Sequence, residues 1–233
     1  SSLGTGLGIL LGMIMSKIVA IKASSYLSEE FHMPIAVNLV LPVEMLISAV
    51  LCAIFIGARL GELAGLEWSD IDLKNGIISI NKSSQYLSDK GIFTKSPKTE
   101  SSIREVAIPD FIVSLLEEYK LWYEEQKSIV GDFWHDSDRL FVQVDGKPIT
   151  PSTISKWFEK FIKQIGLPVI TFHGLRHTNA TLLIAQQVDV ATVSARLGHA
   201  QITTTYNFYV HPLKSHDKHA GNVLENLLVT NAH

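Results

Sequence analysis

The stretch "FHGLRHTNATLL", residues 172–183, places His173, Arg176 and His177 side by side at the start of an apolar helical segment. Like charges at this spacing repel one another, and a buried arginine is costly unless an anionic or hydrogen-bonding partner compensates it. An anion is therefore expected next to this cluster. It is either a carboxylate of the protein itself or a phosphate of a ligand.

The composition describes a folded globular protein, with 46% hydrophobic and 18% charged residues among 233. This length holds one large domain, or one domain and part of another. The single Cys52 excludes an intrachain disulfide, favours a reducing compartment and is expected in the core. The net charge of −3 and the pI of about 6.3 argue weakly against nucleic-acid binding, because nucleic-acid binders usually carry a basic surface. These totals do not exclude a single cleft that is locally basic.

The apolar run over residues 3–15 is interrupted by Lys17 and Lys22, before it reaches the roughly 20 residues that a membrane span requires. A signal peptide carries its positive charge before the apolar region, whereas here the charge follows it. The second run, over 45–57, is shorter still. Both are predicted to be buried helices, and no membrane segment is expected.

Apolar periodicity and turn residues predict a mostly helical chain. Helices are expected over about 7–25, 44–57, 59–66, 110–126 and 151–164, and from 173 almost to the end with breaks at Asp189, Gly198 and Pro212. In the helix from 110, Asp110 is expected to be the cap, and one face is expected to be apolar: Phe111, Leu115, Leu116 and Tyr119.

Short strands are predicted on both sides of the Lys74–Gly76 turn and through the polar-tipped stretch that follows. This stretch ends in an alternating pattern of Ile103, Val106 and Ile108, and a further strand is expected over 139–144 before a turn at Asp145. The predicted fold class is therefore α+β, mostly helical with a small antiparallel β-sheet.

Chemistry at a DNA phosphate requires fixed cations around the non-bridging oxygens, an acid for the leaving oxygen and an aligned nucleophile. Arginine suits the first task because its planar fork binds two oxygens and stays charged. His173 and Arg176 are three residues apart, as on one helix face, and Gly198 can end a helix and present His199. Tyr209 follows ten residues later.

Five motifs occur in order over about residues 44–230, in four stretches of sequence. They are "GARLGELAGLEWSDIDL" with Arg59, "SPKTESSIREVAIP" with Lys98, "HGLRH" with His173 and Arg176, and "LGHAQITTTYNFYVH", which holds the last two motifs, L-G-H with His199 and the tyrosine Tyr209. With these motifs the sequence resembles the catalytic domain of the tyrosine recombinases, the phage-type integrases. Any one motif is weak evidence, but the ordered set at family spacing is specific.

The resemblance implies a role for each motif residue. Arg59 and Arg176 would clamp the scissile phosphate, and His199 would donate to a non-bridging oxygen. Lys98 would protonate the departing 5′ oxygen, and His173 would act as a general base or a further donor. Tyr209 would attack and form a 3′-phosphotyrosyl bond.

The resemblance further implies a site-specific recombinase that integrates or excises a mobile element. Because the phosphotyrosyl bond keeps the phosphodiester energy, strand exchange would need no ATP, no obligatory metal and no cofactor. The implied partners are double-stranded DNA, further copies of the chain in a homo-tetramer, and accessory DNA-bending proteins. The implied location is the bacterial cytoplasm.

Residues 44–233 are expected to form the catalytic domain with its C-terminal tail. Residues 1–43 resemble the end of a preceding DNA-clamping helical domain and its proline-containing linker. The tail beyond Tyr209 carries an apolar side formed by Val223, Leu224, Leu227 and Leu228. It is equally compatible with packing on its own domain and with packing on a neighbouring subunit.

Several alternatives stay open from the sequence. Arg59 could simply pair with Glu62, Lys95 competes with Lys98, and Tyr206 competes with Tyr209 as the nucleophile, while His177 is expected to be structural. A type IB topoisomerase would use the same tyrosine chemistry without a specific site. A recombinase-derived DNA-binding protein that no longer cuts is the non-enzymatic alternative.

Overall fold

The computed structural model describes residues 43–97, 102–164, 168 and 170–207 of the 233-residue chain. The helix predicted over 7–25, the proline-containing linker, Lys98, Tyr209 and the C-terminal tail lie outside the described residues.

Seven α-helices are found within the described ranges. They are α1 (Val43–Ile56), α2 (Leu60–Gly65), α3 (Asp110–Val130), α4 (Pro151–Gln164), α5 (Phe172–Ala185), α6 (Val190–Leu197) and α7 (Ile202–Thr205). Short 3-10 helices occur at Trp68–Asp70 and Gly131–Phe133. The predicted helix starts and stops are confirmed where local chemistry defines them: Asp189 caps α6 through the Thr192 N–H, and Gly198 ends it.

The described strands form two small antiparallel sheets. They are β1 (Ile71–Asp72), β2 (Ile77–Ile80), β3 (Ser83–Leu87), β4 (Gly91–Lys95) and β5 (Arg104–Ala107). The first sheet has the order β1-β2-β5, in which Ile78 pairs with both Ile71 and Val106, and the second is the β3-β4 hairpin. The predicted α+β class with a small antiparallel sheet is confirmed.

Helix α1 lies in the middle of the core because it is apolar around most of its circumference, and it packs against α3, α4 and α5. Cys52 is buried there as predicted, and burial raises the pKa of its thiol to about 12. In the parts of the chain that the structure describes, no helix combines the length and apolar character needed to cross a bilayer.

Four local predictions were wrong, and two of them concern α3. Asp110 is the first helical residue of α3 and Pro109 occupies the cap position. Phe111 is 43% exposed, because the buried stripe of α3 runs instead through Ile112, Leu116, Tyr119 and Tyr123.

The other two errors concern strands. Residues 139–144 form isolated bridges, Glu67 with Arg139 and Val142 with Pro148, in place of the predicted strand. Ile103 lies just before β5 and is 57% exposed, so the inward positions of this segment begin at Arg104.

Candidate active site

Three arginines converge on the C-terminal end of α6. Arg104 Nε donates to the carbonyl oxygen of Arg196 at 2.7 Å, Arg176 Nη2 to that of Leu197 at 2.7 Å, and Arg59 Nη2 to that of Gly198 at 3.3 Å. Carbonyl groups at the end of a helix lack intrahelical donors and carry the negative end of the helix dipole. The end of α6 therefore gathers guanidinium groups from three distant parts of the chain immediately before His199.

Gly198 makes this approach possible. Its φ of +66° is in the left-handed region, and a Cβ atom at this position would lie 2.8 Å from Arg104 Nη1. The glycine therefore ends α6 and leaves room for the guanidinium at the same time. The next residue, His199, is presented beside the arginines, as the Gly-His spacing predicted.

Glu62 is a carboxylate that forms ion pairs with two of these three arginines, Arg59 and Arg104. Its Oε1 accepts from Arg59 Nη1 at 2.7 Å, and its Oε2 accepts from Arg104 Nη2 at 2.9 Å and from the Arg59 backbone N–H at 2.9 Å. Burial alone would raise the pKa of Glu62, but hydrogen bonds and charge attraction, first from Arg104 and then from Arg59, outweigh it and lower the pKa. Glu62 therefore stays ionised and orients both guanidinium groups.

The structure contains the ion pair between Arg59 and Glu62, the structural alternative to a role in phosphate binding. This ion pair does not use all of the Arg59 side chain, because the side chain is 42% exposed and its hydrogen bond to the Gly198 carbonyl is long. A structural arginine of this type is usually covered. The exposed part of the Arg59 side chain faces the groove that Arg59 lines.

The C-terminal end of α1 fixes the other side of the cluster. The carbonyl of Gly57 accepts from Arg176 Nη1 at 2.6 Å, and the carbonyl of Phe55 accepts from Arg196 Nη2 at 2.7 Å. Asn179 Nδ2 donates to the carbonyls of Ile54 at 2.8 Å and Phe55 at 3.2 Å. Arg176 is therefore buried and held between the ends of two helices.

His199 experiences the positive charge of this arrangement directly. Partial burial lowers its pKa to about 4, assisted by the nearby charges of Arg176, Arg59, Arg104 and His177. Its Nδ1 lies 2.7 Å from Thr205 Oγ1. The imidazole is therefore neutral at pH 7, next to a set of cations that would attract an anion.

His173 and His177 both lie on α5 and are exposed at its surface. Their rings meet edge to face with centroids 4.7 Å apart. Burial lowers the pKa of His177, and the charges of His173 and Arg176 lower it further. The predicted shared face of His173 and Arg176 is therefore only partial, because Arg176 points into the core while His173 faces solvent.

Two of the predicted residues, Lys98 and Tyr209, lie outside the described residues, so their placement stays a prediction. The residues flanking segment 98–101 are informative: Pro97 and Ser102 line a groove of about 260 Å³ together with Arg59 and Lys95. The competing nucleophile Tyr206 ends α7 and is 50% exposed. Within the described residues, no group of three or more histidine, cysteine or carboxylate side chains could hold a metal ion.

The sequence motifs do not predict Arg104, Arg196 or Thr205 as site residues. A signal existed for Arg104, since it alternates with Val106 on the inward face of β5, where an arginine is unusual. Arg196 and Thr205 are polar residues within short helices and carry no comparable signal. Their positions depend on contacts with α1, β5 and the loop after α6.

Comparison with known proteins agrees with this geometry. Residues 44–216 match the model of the phage integrase family. The chain belongs to the phage integrase family. It is 33% identical over 184 residues to a tyrosine recombinase XerC-like protein of Caldanaerobacter subterraneus subsp. tengcongensis, covering 74% of this chain and 47% of that protein. It is also 34% identical over 176 residues to the ICEBs1 integrase of Bacillus subtilis, covering 76% and 47%.

Solved structures show the same fold. The Tn1549 transposon integrase in complex with a circular intermediate DNA superposes with a TM-score of 0.62 at 22% identity, covering 70% of this integrase-family chain and 53% of that one. The XerH site-specific recombinase bound to palindromic difH substrate gives 0.57 at 26% identity, covering 83% and 49%. The fold is that of a tyrosine recombinase catalytic domain, and the chain spans about half the length of the curated relatives it matches.

Proposed function

We propose that this chain is the catalytic part of a site-specific DNA recombinase. The observation that carries the proposal is the convergence of Arg59, Arg104 and Arg176 on the end of α6 beside His199. These donors come from segments far apart in sequence, and burial together with their charges lowers the pKa of His199 to about 4. A preorganised cationic site of this kind stabilises charge that develops on a phosphate during reaction.

In the proposed mechanism, the Tyr209 hydroxyl oxygen attacks the scissile phosphorus and the bond from phosphorus to the 5′ oxygen breaks. Lys98 supplies a proton to the departing 5′ oxygen, and His173 accepts the tyrosine proton or donates a hydrogen bond. Arg59 and Arg176 would hold the non-bridging oxygens, to which His199 would also donate. In the structure Arg176 is buried with its Nη atoms on the carbonyls of Gly57 and Leu197, so its contact with a phosphate requires these bonds to rearrange. In the reverse step, a 5′ hydroxyl of the partner strand attacks the phosphotyrosine and releases Tyr209.

The names of the relatives support a role with a mobile element, since they include the ICEBs1 integrase, an integrase of Staphylococcus phage L54a and transposase A of Tn554. We propose by the same likeness that the whole protein acts on double-stranded DNA as a homo-tetramer in a bacterial cytoplasm, with accessory DNA-bending proteins. Residues 1–43 would be the end of a clamping domain and 44–233 the catalytic domain.

Covalent trapping tests the proposal. The protein is incubated with duplexes from the ends of its own genetic element, nicked near the crossover, and then denatured in SDS. We expect a covalent protein–DNA band that is lost in Tyr209→Phe and kept in Tyr206→Phe, which is the matched control because Tyr206 is the exposed tyrosine three residues earlier. A band that survives Tyr209→Phe excludes Tyr209 as the nucleophile.

Two further outcomes distinguish the alternatives. Binding of the duplex without any covalent band would favour a protein that no longer cuts DNA. Relaxation of a supercoiled plasmid that lacks the element's ends, by a protein that does not recombine them, would favour topoisomerase activity.

A further inference from the structure

The hydrogen bond between His199 and Thr205 is a feature of the site that the mechanism above does not use. Thr205 Oγ1 lies 2.7 Å from His199 Nδ1. Thr205 is 0% exposed, although it belongs to a four-residue helix on which Ile202 and Thr203 are exposed. Thr205 is thus the buried residue of a helix whose other three residues are exposed or partly exposed, and its side-chain hydroxyl contacts His199.

This contact determines which ring nitrogen faces the substrate. A neutral imidazole carries one N–H, on either Nδ1 or Nε2, and the hydrogen bond made by one nitrogen sets the tautomer of the other. Since Nδ1 is engaged by Thr205, Nε2 is the nitrogen that remains for a phosphate oxygen. It helps only if it carries the proton, because a bare lone pair would repel an anion.

The direction of the hydrogen bond follows from the surroundings of the hydroxyl. Thr178 and Thr181 on α5 donate their hydroxyl protons to the carbonyls four residues earlier. Among the residues that the structure describes, the Thr205 hydroxyl forms its hydrogen bond with the His199 ring. A buried hydroxyl proton requires an acceptor, and the unprotonated Nδ1 of a neutral ring provides one.

Partial burial, and then the cations around the ring, keep it neutral. Arg176 and His177 on α5, Arg59 before α2 and Arg104 on β5 all disfavour a proton on His199, in addition to its partial burial. We propose that Thr205 is a positioning residue whose buried hydroxyl donates to Nδ1 of His199 and holds the neutral ring in the tautomer with its N–H on Nε2. The part of this inference that concerns phosphate rests on the proposed function, whereas the tautomer does not.

The first test needs no DNA and no variant of Thr205. Long-range proton–nitrogen correlation spectra of the ¹⁵N-histidine-labelled chain at pH 7, assigned with His199→Gln, report which nitrogen of His199 carries the proton. We expect the N–H on Nε2. An N–H on Nδ1 would overturn the proposal.

The second test removes the hydroxyl. Thr205→Val keeps the shape of the side chain and should give a mixture of tautomers, whereas Thr205→Ser keeps the hydroxyl and should retain the Nε2 form. Thr203→Val, on the exposed side of the same helix, is the matched control and should leave the spectrum unchanged. An unmixed Nε2 tautomer in Thr205→Val contradicts the proposal.

The third test concerns the reaction. Covalent-complex formation on the nicked duplex should slow about 10- to 100-fold in Thr205→Val, by analogy with residues that orient metal-bound histidines. The affinity for the duplex should be unchanged, and Thr205→Ser should restore the rate. Equal losses in both variants would assign Thr205 to packing alone. If the wild-type chain forms no covalent complex on any duplex, the proposed function fails, while the tautomer result is decided independently.

Discussion

At the scale of single residues, His199 determines how the site responds to pH. Its pKa in the folded chain is about 4, below the usual 6.5, chiefly because of partial burial and then the charge of Arg176. Well above pH 6.5 the ring is neutral in both the folded and the unfolded chain. Between pH 6.5 and about 4 the unfolded chain binds a proton that the folded chain rejects, so stability falls as the pH falls.

The first prediction follows from this sign. The urea midpoint should drop between pH 7 and pH 5, and His199→Gln should reduce the drop without removing it, since the pKa of His177 is also lowered. The measurement is a pair of unfolding curves at each pH for both chains. An unchanged drop in His199→Gln would mean that its ring is not held neutral by this site.

At the scale of elements, two helix ends organise the site. Asn179 on α5 donates to the carbonyls of Ile54 and Phe55 at the end of α1, and the Asn179 side chain is buried. Asn179→Ala leaves those carbonyls without this donor and should lower the free energy of unfolding by about 1–3 kcal/mol. Thr181→Ala, on the more exposed side of α5, is the control and should change it by less than about 0.5 kcal/mol. Similar losses in the two variants would show that capping of α1 by Asn179 contributes little.

The same scale shows what could be predicted from sequence. The bounds of α4 and α6 followed from Pro151, Asp189 and Gly198, because capping and chain reversal are decided within a few residues. The apolar run over residues 140–142 predicts a strand. In the structure these consecutive residues are all buried, so inward and outward side chains do not alternate, and this segment pairs only at isolated bridges. Motif spacing predicted Arg59, Arg176 and His199, which the structure brings together at the end of α6, while their roles in a reaction stay a prediction.

The role of Arg104 in the site could not be predicted from the sequence, for a physical reason. Arg104 contacts Glu62 and the carbonyl of Arg196, which are 42 and 92 residues away in sequence, so its role exists only after the chain has folded. Thr205 is similar, because nothing in "ITTTY" distinguishes the one buried threonine from its two neighbours. Local signals predict where elements begin and end, whereas the partners of a buried polar group depend on tertiary contacts.

At the scale of the whole molecule, the charge is distributed unevenly. The chain has a net charge of −3, yet Arg59, Lys82 and Lys95 line one groove, together with Glu62, to which Arg104 donates. The total charge argued against nucleic acid, but binding depends on the local potential at the groove. If the proposed function holds, most of the salt dependence of DNA binding should come from this groove.

Lys95 and Lys127 provide a matched pair for the last prediction. Lys95 lines the groove at the end of β4, whereas Lys127 lies on α3 and pairs with Asp136 at 2.9 Å. In fluorescence anisotropy titrations of a labelled duplex at increasing KCl, Lys95→Ala should weaken binding at low salt and reduce the log–log salt slope by about 1, as expected when one phosphate contact is lost. Lys127→Ala should leave the slope unchanged. Equal changes in both variants would mean that diffuse surface charge, and not the groove, attracts the DNA.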